Sequence, residues 1–253
     1  MNSVIRSPFF YVGDKRKLMP QLNKLMPNNI ENYIEPFVGG GSSFLNTKSN
    51  NYFLNDVDKY VISLHEELAK YVDNKDKLFE LLFELIDYYK LSCSYNGRTV
   101  SSELKKKYVK TYYAVYNKKG YEMLRDDYNN NQNDMIRLYL LLIYGFNHMI
   151  RFNSKGIFNL PVGNVDFNKN VFNALNNYLD FIKDKKISFY NYDYKDFMKN
   201  INISPDDSFI FFDPPYLISS SEYNKLMLQW LEQKNIFIYH LLIIILLMVW
   251  EKD

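Results

Sequence analysis

The sequence predicts an α/β fold on a parallel sheet, with a mostly helical subdomain inserted between the second and third strands. Two observations define the sheet. Tyr33-Ile34 runs as a short strand into Glu35-Pro36-Phe37-Val38-Gly39-Gly40-Gly41, and a second strand, Tyr52-Phe53-Leu54, ends in Asn55-Asp56. Strand, glycine turn, helix, strand, helix is the order of a parallel βαβ start. A third observation defines the insertion. Strand signals return only at Ile187-Ser188-Phe189-Tyr190 and Ser208-Phe209-Ile210-Phe211-Phe212, short apolar runs of the kind expected from buried parallel strands.

The elements follow in order. Residues 15–26 carry helical apolar spacing interrupted by Pro20. A helix is expected after the glycine turn, and another from about Lys59 to Tyr71. Residues 74–150 read as mostly helical, including the apolar stretch Leu138 to Tyr144. Residues 151–165 are rich in turn formers and read as a loop or hairpin. The expected division is therefore residues 1–72 with 168–253 for the sheet domain, and 73–167 for the insertion.

Bulk properties restrict the function classes. A chain of 253 residues holds one sizeable α/β domain plus an insertion. Net charge is +2, so any attraction to nucleic acid must be local. The single cysteine, Cys93, excludes an intramolecular disulfide framework and a cysteine-cluster zinc site, and fits a reducing cytoplasm. The opening MNSVIRSPFF lacks an apolar signal core.

Chemistry concentrates at the strand ends. Glycines at a strand-to-helix turn let backbone approach a ligand, and open α/β sheets bind ligands beyond the carboxyl ends of their strands. Alone, Gly39 to Gly41 is compatible with a purely structural turn, and it lacks the dinucleotide spacing. Together with Asp56 after the second strand and the acids after the third (Asp193, Asp196), it suggests an adenosine-containing ligand without specifying which.

Asp213-Pro214-Pro215-Tyr216 follows the last strand signal. Two prolines cannot continue a central strand, so they fix the backbone just past its end. A carboxylate, a carbonyl of set direction and an aromatic ring then serve one cleft. That set suits methylation of an aryl amine such as adenine N6, whose lone pair is delocalised. Asp213 can accept one N6 hydrogen, the Pro214 carbonyl the other, and Tyr216 can stack on the base. Positioning and electrostatics would supply most of the catalysis.

With these residues assembled, the chain resembles the Dam-like, D12-class N6-adenine DNA methyltransferases over roughly residues 8–225. The resemblance rests on Tyr11-Val12-Gly13-Asp14-Lys15, Glu35 to Gly41, Asn55-Asp56, the stretch Gly145 to Gly163, Asp196-Phe197 and Asp213 to Tyr216, in that order. It implies a Rossmann-like S-adenosylmethionine-dependent methyltransferase sheet with an inserted target-recognition subdomain, and no metal. Tyr11 and Lys15 would lie near the cofactor. Glu35, Phe37, Gly39 and Gly41 would cradle its methionine part, Asp56 would hold its ribose, and Asp196 with the Phe197 backbone would read its adenine. Asp213, Pro214, Pro215 and Tyr216 would hold a target adenine flipped out of double-stranded DNA.

For DNA, residues 98–125 hold eight Lys or Arg, interleaved with tyrosines, against Glu103 and Glu122. The resemblance assigns DNA contacts to Phe146, which would fill the space left by the flipped base, and to Asn147, Arg151 and Asn153. His148 is expected to be structural. Two positions depart from the GATC-specific members: Phe10 stands where they carry lysine and Asn164 where they carry arginine, so the target sequence is left open. The resemblance also implies a cytoplasmic, prokaryotic or phage-encoded monomer, with a companion restriction endonuclease as an associated partner and no membrane.

After about Lys225 the resemblance predicts further sheet strands. The chain instead carries an apolar run from Ile236 to Trp250, short for a membrane span. An aberrant ending with an incomplete sheet is one expectation. It leaves two readings open: an active adenine methyltransferase, and a degenerate relic that binds DNA or cofactor without turnover.

Overall fold

The computed structural model describes residues 4–11, 13–202 and 208–214. The strand and tail expectations after residue 214, including Pro215, Tyr216 and the run from Ile236 to Trp250, lie outside the described residues. The chain divides into two compact units. The first comprises Lys15–Ile62 with the chain from Asp184 onward, and the second Ile5–Asp14 with Ser63–Lys183. The sequence alone suggests divisions near residues 72 and 168.

The first unit holds four strands: β1 (Asn32–Glu35), β2 (Asn51–Asn55), β3 (Lys186–Tyr190) and β4 (Ser208–Ile210). All pairings are parallel, in the order β3-β2-β1-β4. Register places Tyr33 beside Tyr52 and Phe209, and Ile34 beside Phe53 and Ile210. The two-residue side-chain period then makes two faces. On one, Tyr33, Tyr52, Phe209 and Phe211 pack ring against ring with Phe44. On the other, Ile34 packs with Phe197 and Met198 of α8 (Tyr194–Asn200), joined by Phe53, Tyr190, Ile201 and Ile210.

Three local expectations change. The helix expected over residues 15–26 is confined to α1 (Met19–Leu22), with Pro20 in its first turn, where a missing N–H costs nothing. The helix expected after the glycine turn is only one 3₁₀ turn, Phe44–Asn46. There Asn46 Nδ2 bonds Ser42 O and Thr47 Oγ1 bonds Ser43 O, so side chains compete with helical continuation. Finally, β3 is not buried. Its residues are exposed or half-buried, because among the described strands it lies at the sheet edge.

Between the units' segments runs α2 (Lys59–Ala69), which crosses the division at residue 62. The second unit adds α3 (Lys75–Tyr88), α4 (Ser102–Lys107), α5 (Tyr112–Asn130), α6 (Met135–Tyr144) and α7 (Lys169–Ile182). Asn74, Ser101, Asp134 and Asn168 cap α3, α4, α6 and α7 through side-chain oxygens. From Leu138 to Tyr144, α6 is buried on every side, which makes it the axis of the bundle. α5 meets the end of α3 at Gly120, where a Cβ would lie 2.0 Å from the Tyr89 carbonyl oxygen. Residues 145–163 form an irregular hairpin with isolated bridges Gly145–Val162 and Phe152–Phe158. No helix among the described residues is long and apolar enough to cross a membrane.

Candidate active site

The strand order sets where a site can form. From β1 the chain moves one way, through β2 to β3, and β4 then returns to β1's other side. The crevice at such a reversal, beyond the carboxyl ends of β1 and β4, is where open α/β sheets take ligands. Glu35 closes β1, the glycine turn follows it, Asp56 follows β2, and Asp213 lies just past β4. The ladder continues one step beyond β4, with Phe211 N–H donating to Ile34 O at 2.8 Å.

The turn after β1 is built on backbone that disfavours side chains. Gly39 and Gly41 have φ of 47° and 79°. Gly39 N–H donates to Asp56 Oδ2 at 2.9 Å, and Asp58 N–H to Asp56 Oδ1 at 2.9 Å. The Asp56 carboxylate thus ties the glycine turn to the end of β2. Burial lifts its pKa above the ordinary range, and the two N–H donors oppose that lift. Asn55, fully buried, is a second tie: Nδ2 donates to Pro36 O and Tyr192 O, each at 3.0 Å, and Oδ1 accepts Tyr192 N–H at 3.0 Å. It joins the segments following β1 and β3.

The charges converge at the crevice. Lys15 Nζ lies 2.6 Å from Asp213 Oδ2, with the two side chains 12% and 15% exposed. Lys15's own N–H donates to Ser42 Oγ at 3.0 Å, which anchors the lysine to the glycine-turn segment. The other oxygen, Asp213 Oδ1, is buried without a hydrogen-bond partner among the described residues. Glu35 is buried and accepts from the Tyr33 hydroxyl at 3.1 Å, and that hydroxyl lies 2.6 Å from Ser43 Oγ. Burial pushes the Glu35 carboxyl well above the usual carboxylate range. The charges of Asp213 and Asp56 push the same way, while the Tyr33 hydroxyl and the Phe44 N–H oppose.

The remaining expected cofactor residues divide. Phe37 forms an aromatic triangle with Phe212 and Tyr194, ring centroids 5.1 and 5.3 Å away. Asp196 is exposed in the first turn of α8. The Phe197 ring is core, its N–H donates to Asp193 O, and its carbonyl accepts from Ile201. Pro214 is half-buried. Tyr11 belongs to the second unit. Among the described residues, no cluster of three or more metal-ligating side chains occurs.

In the second unit, Phe146 is 51% exposed at the start of the hairpin, followed by Asn147 and His148 with φ of 53° and 50°. Arg151 is exposed, but its guanidinium donates to Asn159 Oδ1 and O at 3.0 and 2.7 Å. Asn153 Oδ1 accepts the Lys155 and Ile157 N–H groups and shapes the hairpin tip. His148 Nδ1 lies 3.1 Å from Leu142 O, and burial lowers its pKa. The two departures noted in the sequence have local occupations. Phe10 lies under the Arg6 guanidinium at 4.0 Å and 5.4 Å from the His148 ring. Asn164 Oδ1 accepts from Tyr113 and Ala114 N–H, capping α5, whose own N-cap Thr111 makes no such bond.

Comparison with known proteins decides the family. The pattern of the D12 class N6 adenine-specific DNA methyltransferases matches residues 11–237. The chain belongs to this family. It is 27% identical over 225 residues to the type II methyltransferase M.FokI of Planomicrobium okeanokoites, covering 88% of this chain and 31% of that protein. It is 30% identical over 224 residues to the modification methylase StsI of Streptococcus sanguinis, covering 87% and 30%. With the DNA adenine methylase of Escherichia coli K12 it shares 28% over 217 residues, covering 85% and 66%. The chain thus spans about a third of the length of the first two.

In this D12 chain the sequence reading missed several supporting residues. Asn55 was visible only as part of a motif; its clamp depends on Tyr192, distant in sequence. Ser42, Ser43 and Tyr33 carried no signal, because a serine after a glycine turn has many uses. Phe212 read as strand, and Tyr194 as one of 23 tyrosines.

Proposed function

We propose that this D12 chain transfers a methyl group from S-adenosylmethionine to the exocyclic N6 of an adenine in double-stranded DNA. The observation that carries the reading is Asp213. One carboxylate oxygen is held by Lys15, and the other is buried without a hydrogen-bond partner among the described residues. A buried acceptor left unmade costs about 1–3 kcal/mol, so an arriving N–H donor recovers that cost. Lys15 fixes which oxygen is presented. Pro214, with no N–H of its own, presents a carbonyl beside it for the second N6 hydrogen.

The residues of the crevice fit the cofactor. The glycine turn admits close approach, and three carboxylates, Glu35, Asp56 and Asp213, follow the strand ends with Lys15 paired to Asp213, so a positively charged ligand suits the site. The cofactor when bound supplies the methyl on its sulfonium. Glu35, Phe37, Gly39, Gly41 and Asp56 would hold it, with Asp196 and Lys15 contributing as the sequence expects. Asp213 and Pro214 orient the target nitrogen, and the sequence assigns Tyr216 to stack on the base and Pro215 to the same catalytic segment.

Duplex DNA would meet the exposed Phe146 together with Asn147, Arg151 and Asn153, and phosphates would meet α4 and the start of α5. Residues 104–121 contain six lysines and no acid, a local +6 against +2 for the chain, leaving the remainder at −4. All six lysines are exposed. Relatives named as a type II methyltransferase and a modification methylase support a restriction–modification setting; a companion endonuclease, a monomeric state and a cytoplasmic location belong to the same proposal.

The test is transfer of labelled methyl from S-adenosylmethionine to mixed-sequence duplex DNA. Asp213→Ala should lower the rate by at least about 10²-fold, the scale for losing one positioned polar contact at a reacting centre. Full activity in that variant refutes the mechanism.

A further inference from the structure

Three carboxylates follow the strand ends, Glu35, Asp56 and Asp213, and the ion pair described among them joins Lys15 to Asp213. Glu35 ends β1, and the titratable groups whose interactions act on its carboxyl are Tyr33 on its own strand, Asp56 past β2, and Asp213 past β4, to which Lys15 is paired. Lys15's pairing distance of 2.6 Å is to Asp213, not to Glu35. The partners of the Glu35 carboxyl are the Tyr33 hydroxyl and the Phe44 N–H. Both are neutral donors, and the hydroxyl is shared with Ser43. A buried carboxylate near two others, with no cation paired to it among the described residues, is costly in charged form.

We propose that Glu35 carries a proton in the empty protein and surrenders it when the cationic cofactor enters, so that cofactor binding is coupled to proton release. The inference rests on the cofactor reading above. The balance is simple: the Glu35 O–H bond breaks, the proton passes to the buffer, and the carboxylate left behind faces the positive charge of the ligand. The direction set by burial agrees, since the Glu35 carboxyl is held well above its ordinary range. Asp56 is lifted too, but it is already committed to two backbone N–H donors, so its charged form is satisfied before any ligand arrives.

Three consequences follow. Cofactor affinity rises with pH by up to about tenfold per unit while Glu35 is protonated in the empty site, and levels off above its pKa. A ligand without the sulfonium draws the proton off less completely. The empty protein is stabilised where Glu35 is neutral. Because its folded pKa is raised, that contribution is full below the unfolded value and is lost as pH climbs through the folded one.

The experiment is titration calorimetry of S-adenosylmethionine into the full chain near pH 6.5, below the ordinary α-amino pKa of about 7.7–8.0, so that the ligand amine is already charged. Buffers of different ionisation enthalpy are compared. The expected result is a heat that varies with buffer, corresponding to roughly one proton released, and no such variation for Glu35→Gln. Binding with no buffer dependence in the native chain overturns the proposal and leaves the cofactor reading intact. Absence of binding removes the cofactor reading and the proposal with it. A second measurement needs neither ligand nor a stable variant: infrared spectra of the empty native chain at neutral pH should show the carbonyl band of an un-ionised carboxylic acid, reduced on titration to high pH. A spectrum without that band also overturns the proposal.

Discussion

Replacing Asn55 by alanine should loosen the crevice from behind. Asn55 makes three hydrogen bonds of 3.0 Å to backbone groups. Two involve Tyr192, which is 51% exposed, so water replaces the missing partner and each bond costs about 1 kcal/mol. The third leaves the carbonyl of buried Pro36 without its partner, at about 2 kcal/mol. The total is about 4 kcal/mol, charged to the first unit, in which all three groups lie. The assay is native-state hydrogen exchange of the β1 and β2 amides, which reports that unit without assuming a single global transition. Exchange should accelerate by up to about 10³-fold, and cofactor affinity should fall because the segments after β1 and β3 lose their shared anchor. A change in β1 protection below about 0.5 kcal/mol would refute the assignment of Asn55 as a clamp.

Three further outcomes are expected. Converting Lys105, Lys106, Lys107 and Lys110 to glutamine should weaken binding equally for all duplex sequences. It should also flatten the salt dependence by about 0.9 in log–log slope for each phosphate no longer neutralised, read by fluorescence anisotropy. Asn164→Ala should cost about 1 kcal/mol in denaturant unfolding by uncapping α5, and Asn164→Ser should restore part of it. Gly120→Ala should destabilise by more than about 2 kcal/mol, because the new methyl meets the Tyr89 carbonyl rather than a flexible side chain, and circular dichroism melting should show it.

Strands, their parallel sense and the strand-end acids were legible in the sequence because each writes a local pattern: an apolar run, a glycine turn, an acid at a fixed offset. The glycine segment shows where that legibility stops. Apolar spacing after Gly41 looks helical, yet the Asn46 and Thr47 side chains bond the Ser42 and Ser43 carbonyls and the segment closes as one 3₁₀ turn. β3 shows another boundary, since apolar residues indicate a strand but not whether both faces are covered. For the candidate site, Asp213 and Glu35 could be found from motif and position. The Lys15–Asp213 pair and the Asn55 clamp could not, because each joins segments far apart in sequence, nor could the Asp213 oxygen left without a partner among the described residues. Asn164 is the clearest instance of a substitution explained only in three dimensions: its side chain caps a helix whose own cap residue does not.

Of the two inner strands of the four described, β1 waits for its neighbour. Asn32 meets Ser208 across 176 positions of chain, and all the helices from α2 to α8 are encoded between them. During synthesis, which proceeds at about 5–20 residues per second, one side of β1 stays unsatisfied for roughly ten seconds or more after it leaves the ribosome. Glu35 likewise emerges long before Asp213 and Lys15 can face each other. A ribosome-bound fragment ending before Ser208 would therefore display an open sheet edge and have no assembled crevice, which makes this interval the one in which chaperones or premature pairing with other chains decide the yield of folded protein.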